Sequence, residues 1–111
     1  MSKMFHEITE AQFLDQVKQL AVMNQWLVDH TPTMQQRPGI YKTGGLVGKP
    51  DLCLISLAGA GIIYAELKTM EGRLTPAQKI VGNALLMNGA EYYVWRPDQL
   101  DLIVTRLQRK Q

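Results

Sequence analysis

A single cysteine rules out an internal disulfide in this chain. Cys53 lies inside an apolar run and reads as a small core side chain, and neither His6 nor His30 stands near it in sequence to make it a nucleophile. Long hydrophobic stretches are missing too: no run approaches the ~20 apolar residues needed to cross a bilayer. The N-terminus is polar and amphipathic, without the pattern of a secretory signal, so a cytoplasmic location and no membrane partner are expected. There is no internal repeat and no low-complexity segment. Acidic residues are absent from Thr31 to Pro50, a stretch that carries Arg37, Lys42 and Lys49. An acid-free, basic stretch of this kind suits a phosphate backbone.

What is present is ordinary for a globular chain. With 46% hydrophobic and 20% charged residues among 111, one core is affordable and a second is not, so residues 1–111 are expected to form a single domain. The formal charge of +2 does not by itself mark a nucleic-acid binder. Its distribution says more. Lys68, Arg73 and Lys79 add to the three cations of the acid-free stretch, and Arg106, Arg109 and Lys110 lie at the tail.

Local signals predict the elements. Thr9 and Gln12 have capping-box spacing, with Ile8 and Phe13 placed as a hydrophobic staple, so a helix starts there and runs to about Met23–Asn24. Phe13, Leu14, Val17, Leu20 and Ala21 form its apolar stripe. Trp26-Leu27-Val28 reads as a short strand ending near His30. Residues 31–49 contain Pro32, Pro38, Gly39, Gly44, Gly45 and Gly48 and read as a long loop, of the kind that is usually functional. Thr75-Pro76-Ala77-Gln78 opens a second helix, with Thr75 as cap, Pro76 at the first helical position and Gln78 completing a capping box. Its predicted apolar face is Ala77, Ile80, Val81, Ala84 and Leu85, and Asn88-Gly89 ends it. Glu91 to Arg96 follows as a strand, and Pro97-Asp98 opens a last helix with Leu100, Ile103, Val104 and Leu107 inside. The predicted order is α-β-β-β-α-β-α.

The middle of the chain carries the candidate chemistry. Asp51 heads the run Leu52-Cys53-Leu54-Ile55-Ser56-Leu57, and Ile62-Ile63-Tyr64-Ala65 leads into Glu66-Leu67-Lys68. Ala58-Gly59-Ala60-Gly61 between them suits a tight reversal. A hairpin pairing Leu57 with Ile62 sets Cys53 opposite Glu66 and Asp51 opposite Lys68. Both strands are apolar on both faces, as in a buried central sheet. Alternation then places Asp51, Glu66 and Lys68 on one face, whereas a slip of one residue would send Asp51 to the other. Asp51 and Glu66, with the Leu67 backbone carbonyl, offer oxygens to a hard cation such as Mg²⁺ or Mn²⁺. Lys68 can orient water or offset developing negative charge. The plainer alternative makes Glu66 and Lys68 a solvated pair at a strand end.

These motifs together resemble a known family. Gly48-Lys49-Pro50-Asp51-Leu52, Ala65-Glu66-Leu67-Lys68, Leu74-Thr75-Pro76-Ala77-Gln78 and Tyr93-Val94-Trp95-Arg96-Pro97 look like the VRR-NUC nucleases of the PD-(D/E)xK superfamily. The similarity spans nearly the whole chain and is to stand-alone, phage-encoded members, which would place the protein in the cytoplasm of a bacterial host. It implies an α/β, restriction-endonuclease-like αβββαβ(α) core with a mixed central sheet flanked by helices. It also implies an Mg²⁺- or Mn²⁺-dependent endodeoxyribonuclease acting on branched DNA, as a homodimer resolving four-way (Holliday) junctions. A nickase or flap nuclease of the same fold, and a non-catalytic DNA-binding module, are the alternatives.

Carried across, Asp51 and Glu66 match the family's metal carboxylates, Lys68 its lysine, and Gln78 the glutamine of the following helix, beside its capping role. A first-helix acid assists the metal in that family. Glu10 aligns best with it, while Asp15 and Gln16 lie further along, and Glu10 also suits a helix N-terminus on its own account. Arg37, Lys42, Lys49, Arg73 and Lys79 are the candidate DNA contacts. His30 is a lesser phosphate candidate, and one face of Tyr92, Tyr93 and Trp95 could stack on bases or pack in the core. Trp26, Tyr92, Trp95 and the last helix are candidate dimer surfaces.

Overall fold

The computed structural model describes residues 2–30 and 46–108. Arg37, Lys42, Arg109 and Lys110 lie outside them. A short helix α1 (Ser2–His6), not foreseen from sequence, precedes α2 (Glu10–Met23). Then come β1 (Trp26–His30), β2 (Leu52–Ser56), β3 (Ile62–Leu67), α3 (Pro76–Met87), β4 (Glu91–Trp95), a 3₁₀ turn over Pro97–Gln99 and α4 (Leu100–Leu107). The result is an α/β arrangement, a four-stranded mixed sheet flanked by helices, with a generic restriction-endonuclease-like topology. The strand order is β1-β2-β3-β4, with β1, β2 and β3 antiparallel and β4 parallel to β3. No helix among the described residues is long and apolar enough to cross a membrane.

Both capping boxes form. Thr9 Oγ1 accepts from the Gln12 N–H at 3.1 Å, and the Gln12 Oε1 accepts from the Thr9 N–H at 2.9 Å. Thr75 and Gln78 repeat the pattern with the same distances. Each pair satisfies two backbone donors that a bare helix start would leave open. One sheet face carries Trp26, Leu52, Leu54, Ile63, Ala65, Leu67 and Trp95, and it packs with Phe13, Val17 and Ala21 of α2 and Ile103 and Leu107 of α4. The Trp26 indole N–H donates to the Leu107 carbonyl at 2.9 Å, which ties the end of α4 to β1.

The hairpin pairs in a different register from the expected one. Leu52 faces Ala65, Leu54 faces Ile63 and Ile55 faces Ile62, so one further step sets Asp51 opposite Glu66 rather than Lys68. The cause lies in the turn. Ser56 closes it by donating to the Gly61 carbonyl at 3.0 Å, and its hydroxyl accepts from the Ala58 N–H. Leu57, expected to pair with Ile62, instead donates to the Gln25 carbonyl on the β1 side at 2.8 Å. Because the shift is two residues, every side chain keeps its face.

Two packing expectations are corrected. The second face of β2 and β3 is not buried along its length: Leu27, Ile55 and Ile62, partners across β1, β2 and β3, are exposed. The sheet is roofed there only towards β4, where α3 lies. Within α3 the buried positions are Gln78 and Gly82, with Val81 and Leu85 half-buried, while Ile80 and Ala84 face solvent. Gly82 explains the rotation. A Cβ built there would lie 2.6 Å from the Tyr92 ring, so the helix rests its side-chain-free position on that tyrosine.

Candidate active site

β2 and β3 end side by side, and the carboxylates meet at that end. Asp51 immediately precedes β2, and its Oδ2 accepts from the Leu67 N–H at 2.8 Å. The aspartate thus takes over the backbone partner that β2 would have supplied had it continued. In a strand the N–H and C=O of one residue point to the same side, so the Leu67 carbonyl is directed to the side where Asp51 sits. Lys68 is anchored on the other side by its own N–H, which donates to the Trp95 carbonyl at 3.0 Å.

Glu66 is the anomaly. It has 0% exposure, and neither carboxylate oxygen accepts from an N–H or hydroxyl donor; the group its carboxyl meets is the Asp51 carboxyl. Burial pushes its pKa up to about 8; the neighbouring Asp51 carboxyl adds to the rise, and the Lys68 ammonium opposes it. A buried carboxylate without a donor is costly when charged, and either a proton or a cation must offset that charge. Among the described residues, only one other buried side-chain nitrogen or oxygen lacks a partner, the Tyr92 hydroxyl. Burial raises the Tyr92 pKa first, and the Glu66 and Asp51 carboxylates add to the effect. Glu66, Asp51 and the Tyr92 hydroxyl therefore belong to one electrostatic neighbourhood.

The approach to Asp51 is also built by close packing. Gly48 adopts φ +89°, and a Cβ there would lie 2.5 Å from the backbone carbon and oxygen of Ala77. Only glycine combines that left-handed conformation with that approach. It seats the segment leading to Lys49, Pro50 and Asp51 against the first turn of α3. Beyond β3, Arg96 donates to the Thr69 and Gly72 carbonyls at 2.6 and 2.7 Å and clamps the turn that follows Lys68. His6 Nδ1 lies 2.6 Å from Glu71 Oε2 in the same turn.

Of the expected site residues, Asp51, Glu66, the Leu67 backbone and Lys68 come together. Gln78 is buried on α3, and its side-chain oxygen accepts from the Thr75 N–H, which leaves the amide nitrogen and one oxygen lone pair for another group. Glu10 is exposed at the start of α2. Among the described residues no group of three or more histidine, cysteine, aspartate and glutamate side chains is arranged to hold a metal, so neither Glu10 nor another acid joins Asp51 and Glu66. Lys49 is half-buried, and Arg73 and Lys79 are exposed.

Tyr93 and Trp95 stack on each other on the core face, 5.3 Å between centroids, so on this face the strand takes the core-packing alternative. Trp26 and Trp95 are buried within the chain and offer no free dimer surface. His30 lies opposite Leu52, on the face away from Asp51. Arg106 is committed to Glu91 by two contacts, at 2.5 and 2.8 Å, to the Ala60 carbonyl at 2.9 Å, and to the face of Trp26. That ion pair holds Glu91 below the usual carboxylate range. Sequence reading overlooked Gly82 and the way it seats Tyr92; a glycine inside an apolar helix pattern is the signal that marks such close packing.

Comparison with protein-family models, with curated proteins and with solved structures gave no match.

Proposed function

We propose that this chain is a divalent-cation-dependent endonuclease of branched DNA that resolves four-way junctions as a homodimer. The observation that carries the reading is the fully buried Glu66 carboxylate without a donor, set beside Asp51 at the end of two strands. A protein that only binds DNA needs surface cations and gains nothing from a buried, unsatisfied acid. The donors fit a hard cation: two carboxylates and a backbone carbonyl, all oxygen, suit Mg²⁺ or Mn²⁺. Asp51, Glu66 and the Leu67 carbonyl would hold it.

When bound, the cation would polarise a phosphate oxygen and favour deprotonation of an attacking water. The protein's own groups do the rest. Asp51 is held in place by the Leu67 N–H, so its carboxylate needs little reorganisation. Lys68, whose charge reaches Glu66, offsets negative charge as it builds on the phosphate. Lys49, Arg73 and Lys79 supply cations for the DNA backbone.

The test is cleavage of a labelled four-way junction beside matched linear, nicked and flapped DNA, in Mg²⁺, Mn²⁺ or EDTA. Paired cuts in the junction, lost in EDTA and in Asp51→Asn and Lys68→Ala, are the expected result. Cuts confined to nicks or flaps would replace the junction as substrate, and no cleavage of any DNA by folded protein would refute the nuclease reading.

A further inference from the structure

We propose that Tyr92 is a positioning residue of this site: its hydroxyl, seated by the missing side chain of Gly82, donates a hydrogen bond that fixes the charged Glu66 carboxylate for a cation. The inference rests on the metal-site reading above and adds to it a residue and a helix.

Three observations converge. Tyr92 pairs with Tyr64 and Val94 with Glu66, so Tyr92 and Glu66 are diagonal neighbours on one sheet face. A diagonal neighbour on the same face of adjacent strands lies within reach of aromatic and long side chains. Next, among the described residues the buried side-chain oxygens without an N–H or hydroxyl partner are those of Glu66, which meets only the Asp51 carboxyl, and of Tyr92. A phenol that served only as filler would be replaced without loss by phenylalanine, since burying an unsatisfied hydroxyl is unfavourable. Finally, α3 gives up a side chain where it crosses this ring: a Cβ at Gly82 would meet Cζ, Cε2 and the hydroxyl oxygen of Tyr92 at 2.6 to 2.7 Å. The contact locks the ring and leaves the hydroxyl under the helix, on the Glu66 side of the sheet.

The chemistry is complementary. A charged Glu66 accepts, and the phenol donates. With the ring held by α3, the bond is made by rotation of the Glu66 side chain towards the hydroxyl. Carboxylates that ligate metals are commonly oriented by such outer hydrogen bonds, and losing one typically weakens metal affinity by about 10- to 100-fold.

The experiment is calorimetric titration of the metal-free full chain with Mn²⁺, for wild type, Tyr92→Phe and Asp51→Asn, with urea unfolding of each in EDTA. The expected result is binding by wild type, loss in Asp51→Asn, and affinity lowered about 10-fold in Tyr92→Phe. Tyr92→Phe should be no less stable than wild type without metal, because it deletes an unsatisfied buried group. Equal Mn²⁺ affinity in wild type and Tyr92→Phe would overturn the role of Tyr92 and leave the metal site standing. Weaker affinity matched by lower metal-free stability would also overturn it, as a packing effect. No Mn²⁺ binding by folded wild type would remove the metal site itself and this inference with it.

Discussion

In the folded chain Glu66 releases its proton at about pH 8, against an ordinary value of 4.5. Between those values the folded state holds a proton that the unfolded state has lost. Stability is therefore full below the unfolded value, falls as pH rises through the window, and reaches its minimum above the folded value. The loss for the metal-free protein is on the order of a few kcal/mol. Urea unfolding in EDTA across this range should show the decline, and Glu66→Gln should flatten it. Parallel pH profiles for the two proteins would show that Glu66 is not the group responsible. None of this was legible from sequence. Glu66-Leu67-Lys68 announced a strand end with two charges, but that the glutamate would be buried depends on α3 and β4, which arrive later in the chain.

At the scale of elements, the loop before β2 is held by one glycine. Gly48 and Gly59 both have positive φ, +89° and +81°, but only Gly48 approaches other atoms, and Gly59 has open space around its Cβ position. Gly59→Ala is expected to cost about 1 kcal/mol, the backbone term alone. Gly48→Ala adds a clash with the Ala77 backbone and should cost about 2–4 kcal/mol. It should also weaken Mn²⁺ binding, because the displaced segment ends at Asp51. Equal losses of stability in the two variants, by urea unfolding, would show that the Ala77 contact is not limiting. The helices themselves were readable: Thr9 and Thr75 cap as their spacing predicts, since a capping box needs only four consecutive residues. The rotation of α3 was not. Ile80 and Ala84 continue an apolar pattern, yet Tyr92 on another element decides which residue faces inward.

For the whole molecule, the proposed activity requires two equivalent sites. The strands cut in a four-way junction are related by an approximate two-fold axis, which a two-fold dimer matches. Sedimentation at micromolar concentration should return twice the monomer mass, and a monomer would count against resolution by a preformed dimer. With Trp26 and Trp95 inside the core, apolar surface remains on the Leu27, Ile55 and Ile62 row and on α4 at Leu102. Junction affinity should fall steeply with salt if Lys49, Arg73 and Lys79 neutralise phosphates, and a flat salt dependence would point away from backbone contact.

By itself the sequence determined the order of the elements from α2 onward, both capped helix starts, the parity that keeps Asp51 and Glu66 on one face, and the oxygen-rich character of the pair they form. These depend on signals within a few residues: caps, alternation, and turn glycines. Only the tertiary structure decided the register of the hairpin, the burial of Glu66, the rotation of α3 and the seating of Tyr92 beneath Gly82. Each depends on contacts between residues far apart in the chain, where the Gln25 carbonyl competes for Leu57 and the Tyr92 ring selects the glycine of a helix. A local pattern can place a residue on a face, but the free energy of leaving it there without a partner is set by what the rest of the fold puts over it.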